Sequence, residues 1–167
     1  MIYPNTQGDT ALDANDFAIL CRSIVGKISN AEIKISERAC ALKINGIDIS
    51  LFFNPLVASD RMHCFVDIGI VPANGREAIF SHLLSMNLLS ATKTSGVYGF
   101  DQESEKLIFV QQIIYPDLMD PDELATILAE YSIQANYLRQ TLLETEDLHS
   151  FSSAFPQPFQ KNASFLA

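Results

Sequence analysis

Residues 83–111, LLSMNLLSATKTSGVYGFDQESEKLIFVQ, change their hydrophobic period within one stretch, and that change narrows the folds open to the chain. The opening leucines sit at helical spacing and read as the end of an amphipathic helix. A short polar loop follows, then a compact β-hairpin. Its first strand is Gly96-Val97-Tyr98-Gly99-Phe100-Asp101, its turn spans 101–105, and its return strand is Lys106-Leu107-Ile108-Phe109-Val110. A helix feeding straight into an antiparallel pair argues for the α+β class. Nothing in the block is catalytic.

The rest of the chain extends this pattern. From Asp13, Phe17, Cys21, Ile24 and Ile28 make one helical stripe, and Asp13, Asn15 and Asp16 suit a helix start. The spacing predicts a first helix to about Lys27, where a cation favours the C-terminal end. Ile33 and Ile35 alternate with polar residues, either as a short strand or as an extension of the next one. Cys40, Leu42 and Ile44 lead into Asn45-Gly46, the dipeptide of a two-residue hairpin, and Ile47, Ile49, Leu51 and Phe53 return. In residues 62–71, Met62, Cys64, Val66, Ile68 and Ile70 share one face, which needs a covering layer. Asp120-Pro121-Asp122-Glu123 is a strong helix start, followed by the stripe Leu124, Ile127, Leu128, Tyr131, Ala135, Leu138 and Leu142. The order is α-β-β-β-α-β-β-α, a twisted antiparallel sheet covered by helices. Residues 1–12 read as a loose lead-in and 13–147 as the domain. Residues 148–167, which set four phenylalanines among Ser, Pro and Gln, read as a tail without helical or strand period.

Charge and cysteine exclude several functions. Of the net −9, residues 1–100 contribute almost nothing, with nine acids against eight bases. Residues 101–147 hold eleven acids against Lys106 and Arg139, a field that repels nucleic acid. No apolar run reaches the roughly 18 residues of a spanning helix, and the first residues lack the basic and apolar regions of a signal peptide. Cys21, Cys40 and Cys64 are odd in number and widely spaced, as expected of buried free thiols in a reducing cytoplasm.

No enzyme or cofactor site emerges. His63 and Cys64 are strand neighbours and point to opposite faces. Gly96-Val97-Tyr98-Gly99 has neither the lysine nor the following helix of a phosphate loop. The acid pairs Asp122-Glu123 and Glu146-Asp147 are consecutive, which suits helix capping and solvation. What the chain has in surplus is apolar surface. Its second helix carries two rows, Ile79, Leu83 and Met86 in one, and Phe80, Leu84 and Leu88 in the other.

The block 83–110, with Leu83-Leu84-Ser85-Met86-Asn87-Leu88, the Gly-rich strand and the branched return strand, resembles the class I chaperones of bacterial type III secretion, the Tir chaperone family. The pattern of elements matches over about Asp13 to Leu143. The resemblance implies a cytoplasmic homodimer with Phe80, Leu83, Leu84, Leu88, Val97 and Tyr98 at the dimer interface. It also implies an effector whose N-terminal segment wraps the dimer in extended form, near Phe17, Leu20, Ile24, Leu42, Ile44, Ile108 and Val110, although core is the ordinary place for most such residues. No cofactor, nucleic acid or membrane is implied, and the secretion apparatus is met only indirectly. The alternative is a YbjN-like regulatory or immunity-type binding domain on a similar fold.

Overall fold

Asn45 and Gly46 take φ values of 51° and 78°, and so close the hairpin their sequence calls for. The structure, a computed structural model, describes residues 13–28, 31–58, 60–89, 96–114 and 116–144; the lead-in 1–12 and the tail 148–167 lie outside the described residues. The turn joins β2 (Ala39–Ile44) to β3 (Ile47–Phe52), with β1 (Glu32–Ile35) before them and β4 (Arg61–Ile70) after. Helix α2 (Arg76–Leu89) leads to the second hairpin, β5 (Val97–Asp101) and β6 (Lys106–Ile114). Helix α1 is Ala14–Ser23 and α3 is Pro121–Leu138, the latter continued by a π-helical turn at Arg139–Leu143.

The strands form one six-stranded sheet, antiparallel throughout, in the order β1-β2-β3-β4-β6-β5. The expected element order holds with one addition: residues 32–35 stand as a separate edge strand paired to β2. The cause is local. Ser36 N–H donates to Ala39 O at 2.8 Å, and its hydroxyl accepts from Ala39 N–H at 3.1 Å, folding Glu37-Arg38 into a tight turn.

Alternate residues of the strands face one side, where Leu42, Ile44, Ile49, Leu51, Met62, Cys64, Val66, Leu107 and Phe109 are buried. All three helices contribute to that single core. Phe17 stacks on Phe53 at 5.6 Å between ring centres, and Phe109 links Tyr98 (5.2 Å) to Tyr131 (5.7 Å). Helix α3 starts where its sequence says, with the Asp120 side chain accepting from Asp122 N–H at 2.7 Å.

Two expectations need correction. Helix α1 ends at Ser23, not near Lys27. Val25 and Gly26 are poor helix formers, and Ser23 turns its hydroxyl onto Leu20 O at 2.6 Å. Lys27 instead pairs with Asp122 in the first turn of α3. In β4 the alternation slips after Ile68: the register shifts between Asp67 and Gly69, so that Ile70 is 61% exposed while Val71 is buried. Gly69 sits in this bulge at φ 140°, and a Cβ there would come within 3.1 Å of Leu143 Cδ1. Arg139 secures the bulge from the end of α3, donating to Ile68 O and, at 3.3 Å, to Asp67 O.

No described helix lies on the other side of the sheet. It presents Phe52 packed edge-on against Phe65 (5.4 Å), with His63, Ile108, Val110 and Val97, all half-buried or exposed.

Candidate binding surfaces

The two edges of the sheet are built differently. At β5, Asn87 of α2 acts as a substitute strand. Its Nδ2 donates to Tyr98 O at 2.9 Å, and its Oδ1 accepts from Tyr98 N–H at 2.8 Å. The backbone groups that Tyr98 turns away from β6 are thereby satisfied. Asn87→Ala should leave this pair without its partner and cost about 1–3 kcal/mol, read by chemical denaturation. The asparagine of the Leu-Leu-x-x-Asn-Leu pattern is thus a structural clamp, a role that sequence periodicity does not reveal.

At the opposite edge, β1 pairs only with β2 among the described strands. Ser36 and Ala39 form a hydrogen-bonded pair, and such pairs alternate along an antiparallel ladder. The main-chain groups of Ile33 and Ile35 therefore point outward. Beside this edge runs a groove of about 510 Å³, lined by Ala14, Asn15, Ala18, Arg22, Ile35, Ser36 and Glu37.

The rows of α2 separate as the sequence suggests. Ile79, Leu83 and Met86 are buried, whereas Leu84 is 68% and Leu88 77% exposed. Phe80 lies between, with its ring 4.9 Å from Phe100, over which the Arg76 guanidinium stands at 5.4 Å. A groove of about 200 Å³ runs along this face between Phe80, Leu83, Leu84, Asn87, Tyr98 and Phe100. Of the residues expected at a dimer interface, Leu84, Leu88 and Val97 are exposed and Phe80 is half-buried, whereas Leu83 and Tyr98 are buried within the chain and form the groove's floor.

The residues expected to touch an effector divide more sharply. Phe17, Leu20, Ile24, Leu42 and Ile44 are buried beneath the helices, a correction with a simple cause: they are the inward face of α1 and β2 and of the turn after α1. Ile108 and Val110 lie on the uncovered face of the sheet, half-buried.

The thiols are interior. Cys21, Cys40 and Cys64 are free and buried. A hydrogen bond with Cys40, and then burial, push the Cys21 thiol well above its usual range, while burial alone does so for Cys64. His63 stands on the opposite face from Cys64, with its Nε2 3.3 Å from Gln112 Nε2. The native protein should therefore resist thiol-modifying reagents at mildly alkaline pH and react at all three cysteines only after denaturation; rapid native labelling would contradict this packing. Among the described residues, no helix is long and apolar enough to cross a membrane.

A six-stranded antiparallel sheet with its β5 edge clamped by Asn87, its β1 edge unpaired on the outer side among the described strands, and an apolar row exposed on α2 defines a class of small α+β domain. The chain belongs to the Tir chaperone protein (CesT) family, whose family profile matches residues 10–139. The fold is shared with a chain from a crystal structure of the ExsC-ExsE complex, at a TM-score of 0.62 and 18% identity, over 79% of this chain and 98% of that one. A chain from a structure of the HopA1-SchA chaperone-effector complex matches at a TM-score of 0.50 and 15% identity, over 74% of this chain and 90% of that one. No curated protein sequence matches.

Proposed function

We propose that this chain is a homodimeric type III secretion chaperone that binds the N-terminal segment of a cognate effector in the bacterial cytoplasm. It holds that segment extended and competent for the secretion apparatus. The observation that carries the reading is the unequal treatment of the sheet edges. Asn87 occupies the edge at β5, while β1 keeps outward main-chain groups beside a groove of mixed lining, with Ala14, Ala18 and Ile35 among Asn15, Arg22, Ser36 and Glu37. An extended segment added at β1 gains ladder hydrogen bonds, and its alternate side chains enter the groove without strict chemical selection. The family membership and the fold shared with a chain of a chaperone-effector complex support the same reading.

The exposed row of α2 supports the dimer. Leu84 and Leu88 stand exposed on one helix face, and a second copy presenting the same row would cover both in an isologous contact.

The test is calorimetric titration with N-terminal segments of proteins encoded beside this gene. Binding that orders a flexible chain should show a large negative heat-capacity change. Ile33→Pro removes one outward N–H and should weaken binding by about tenfold or more, the equivalent of about 1.4 kcal/mol, whereas Ile33→Ala keeps the N–H and should bind far better than the proline variant. Equal binding by a folded Ile33→Pro protein would refute strand addition at β1. A partner that binds only as a folded globular domain would favour a regulatory or immunity role instead.

A further inference from the structure

We propose that Cys21 and Cys40 are a dithiol site that closes to a reversible disulfide, stapling α1 to β2, when the chain meets a small disulfide oxidant such as oxidised glutathione. This inference stands apart from the secretion reading, since it concerns one bond inside the chain.

The two thiols come from different elements and meet in the core. Cys21 projects from α1 and Cys40 from β2; both are free and fully buried, and a hydrogen bond joins their side chains. Contact of that kind brings the two sulfurs together in the folded chain, so the second thiol is always at hand once the first has reacted.

The third thiol is out of reach. Cys40 pairs in register with Leu51, and Leu51 with Cys64, so Cys64 stands two strands away from Cys40. Two strand spacings come to about 10 Å, whereas a disulfide spans Cα atoms no more than about 7 Å apart. Cys64 is therefore an internal control in the same core.

The fold also supplies a way in. Helix α1 has only ten residues, and Cys21 lies in its last turn, where helices fray. Cys40 is fixed by comparison, since β2 is paired on both sides, to β1 and to β3. Reagents are kept out of the closed state, so exchange runs through the frayed one and takes hours rather than minutes. There the Cys21 thiolate attacks one sulfur of the oxidant, forming a mixed disulfide and releasing the first glutathione. Cys40 then loses its proton and attacks the Cys21 sulfur, breaking the mixed disulfide and releasing the second. The two protein thiols give up two electrons and two protons, and the oxidant leaves as two thiols. Residues of α1 (Ala14, Ala18, Arg22) and of the β1 end (Ile35, Ser36, Glu37) line one groove, so the staple fixes the separation of its sides.

The test is overnight incubation of the full-length folded protein with excess oxidised glutathione at mildly alkaline pH, followed by alkylation under denaturing conditions and peptide mapping. The chain should lose two hydrogens, the Cys21 and Cys40 peptides should be joined, and Cys64 alone should be alkylated. Dithiothreitol should restore all three thiols. Closing a loop of about 20 residues should raise the melting temperature by roughly 5 °C or more. Cys64→Ala should form the same bond, and Cys21→Ala should form none. A folded wild-type protein that stays fully reduced, that keeps glutathione on either cysteine without closing, or that links through Cys64 or between chains would overturn the proposal. An oxidised protein that melts no higher than the reduced one would overturn it too, since the bond would then distort the contact it is meant to fit.

Discussion

Leu84→Glu should turn the protein into a folded monomer. Leu84 is 68% exposed in the single chain, so the substitution leaves the core intact and the melting temperature of the isolated subunit nearly unchanged. In the proposed dimer the same position is covered by its symmetry mate, and two carboxylates would be buried with no basic partner. Burying an unpaired charge costs several kcal/mol, so association should weaken by about 100-fold or more, at about 1.4 kcal/mol per factor of ten. Sedimentation velocity of the two proteins at matched concentration reads the effect. A wild-type protein that sediments as a monomer at micromolar concentration would remove the dimer from the proposal, and a Leu84→Glu dimer would move the interface away from α2.

Gly96→Ala should be among the most damaging single methyl additions in the hairpin. A Cβ at position 96 would lie 2.2 Å from the Phe109 ring and 2.7 Å from Val110 O, so both a core aromatic and backbone must move. Phe109 cannot yield easily, held as it is between Tyr98 and Tyr131. Overpacking of this kind costs about 1–3 kcal/mol and occasionally more; at 3 kcal/mol the melting temperature should fall by roughly 10 °C in a domain of this size. Gly99, three residues on, is the control. Its Cβ would meet only Ile108 O at 4.0 Å, so Gly99→Ala should change stability little. Equal effects at the two positions would mean that Phe109 is not packed as described.

The contrast between these glycines shows what the sequence could reveal. Both belong to one Gly-rich strand, and nothing local distinguishes the crowded one from the open one. Features governed by neighbours in sequence were legible: the Asn45-Gly46 turn, the Asp120 cap and the alternating faces of β2 and β3. Features governed by distant contacts were not. Arg139 and Leu143, about seventy residues further on, hold the bulge that turns Ile70 outward. Asn87 sits within a leucine-rich helix, and its role appears only when Tyr98 is placed beside it. The candidate surfaces were half legible. Amphipathicity identified two apolar rows on α2, but it could not tell which residues of α1 and β2 would be interior, because burial depends on what a face meets.

The clamp on β5 also governs how copies of this protein can meet. A sheet with two free edges could grow without limit, each molecule adding to the last as in a fibre. Here Asn87 takes up the outward main-chain groups of Tyr98, so an added strand is directed to β1 rather than to the middle of β5. Each chain then carries one adhesive edge and a homodimer joined through α2 would carry two, so a foreign strand seated on each β1 would also keep dimers from adding to one another edge to edge.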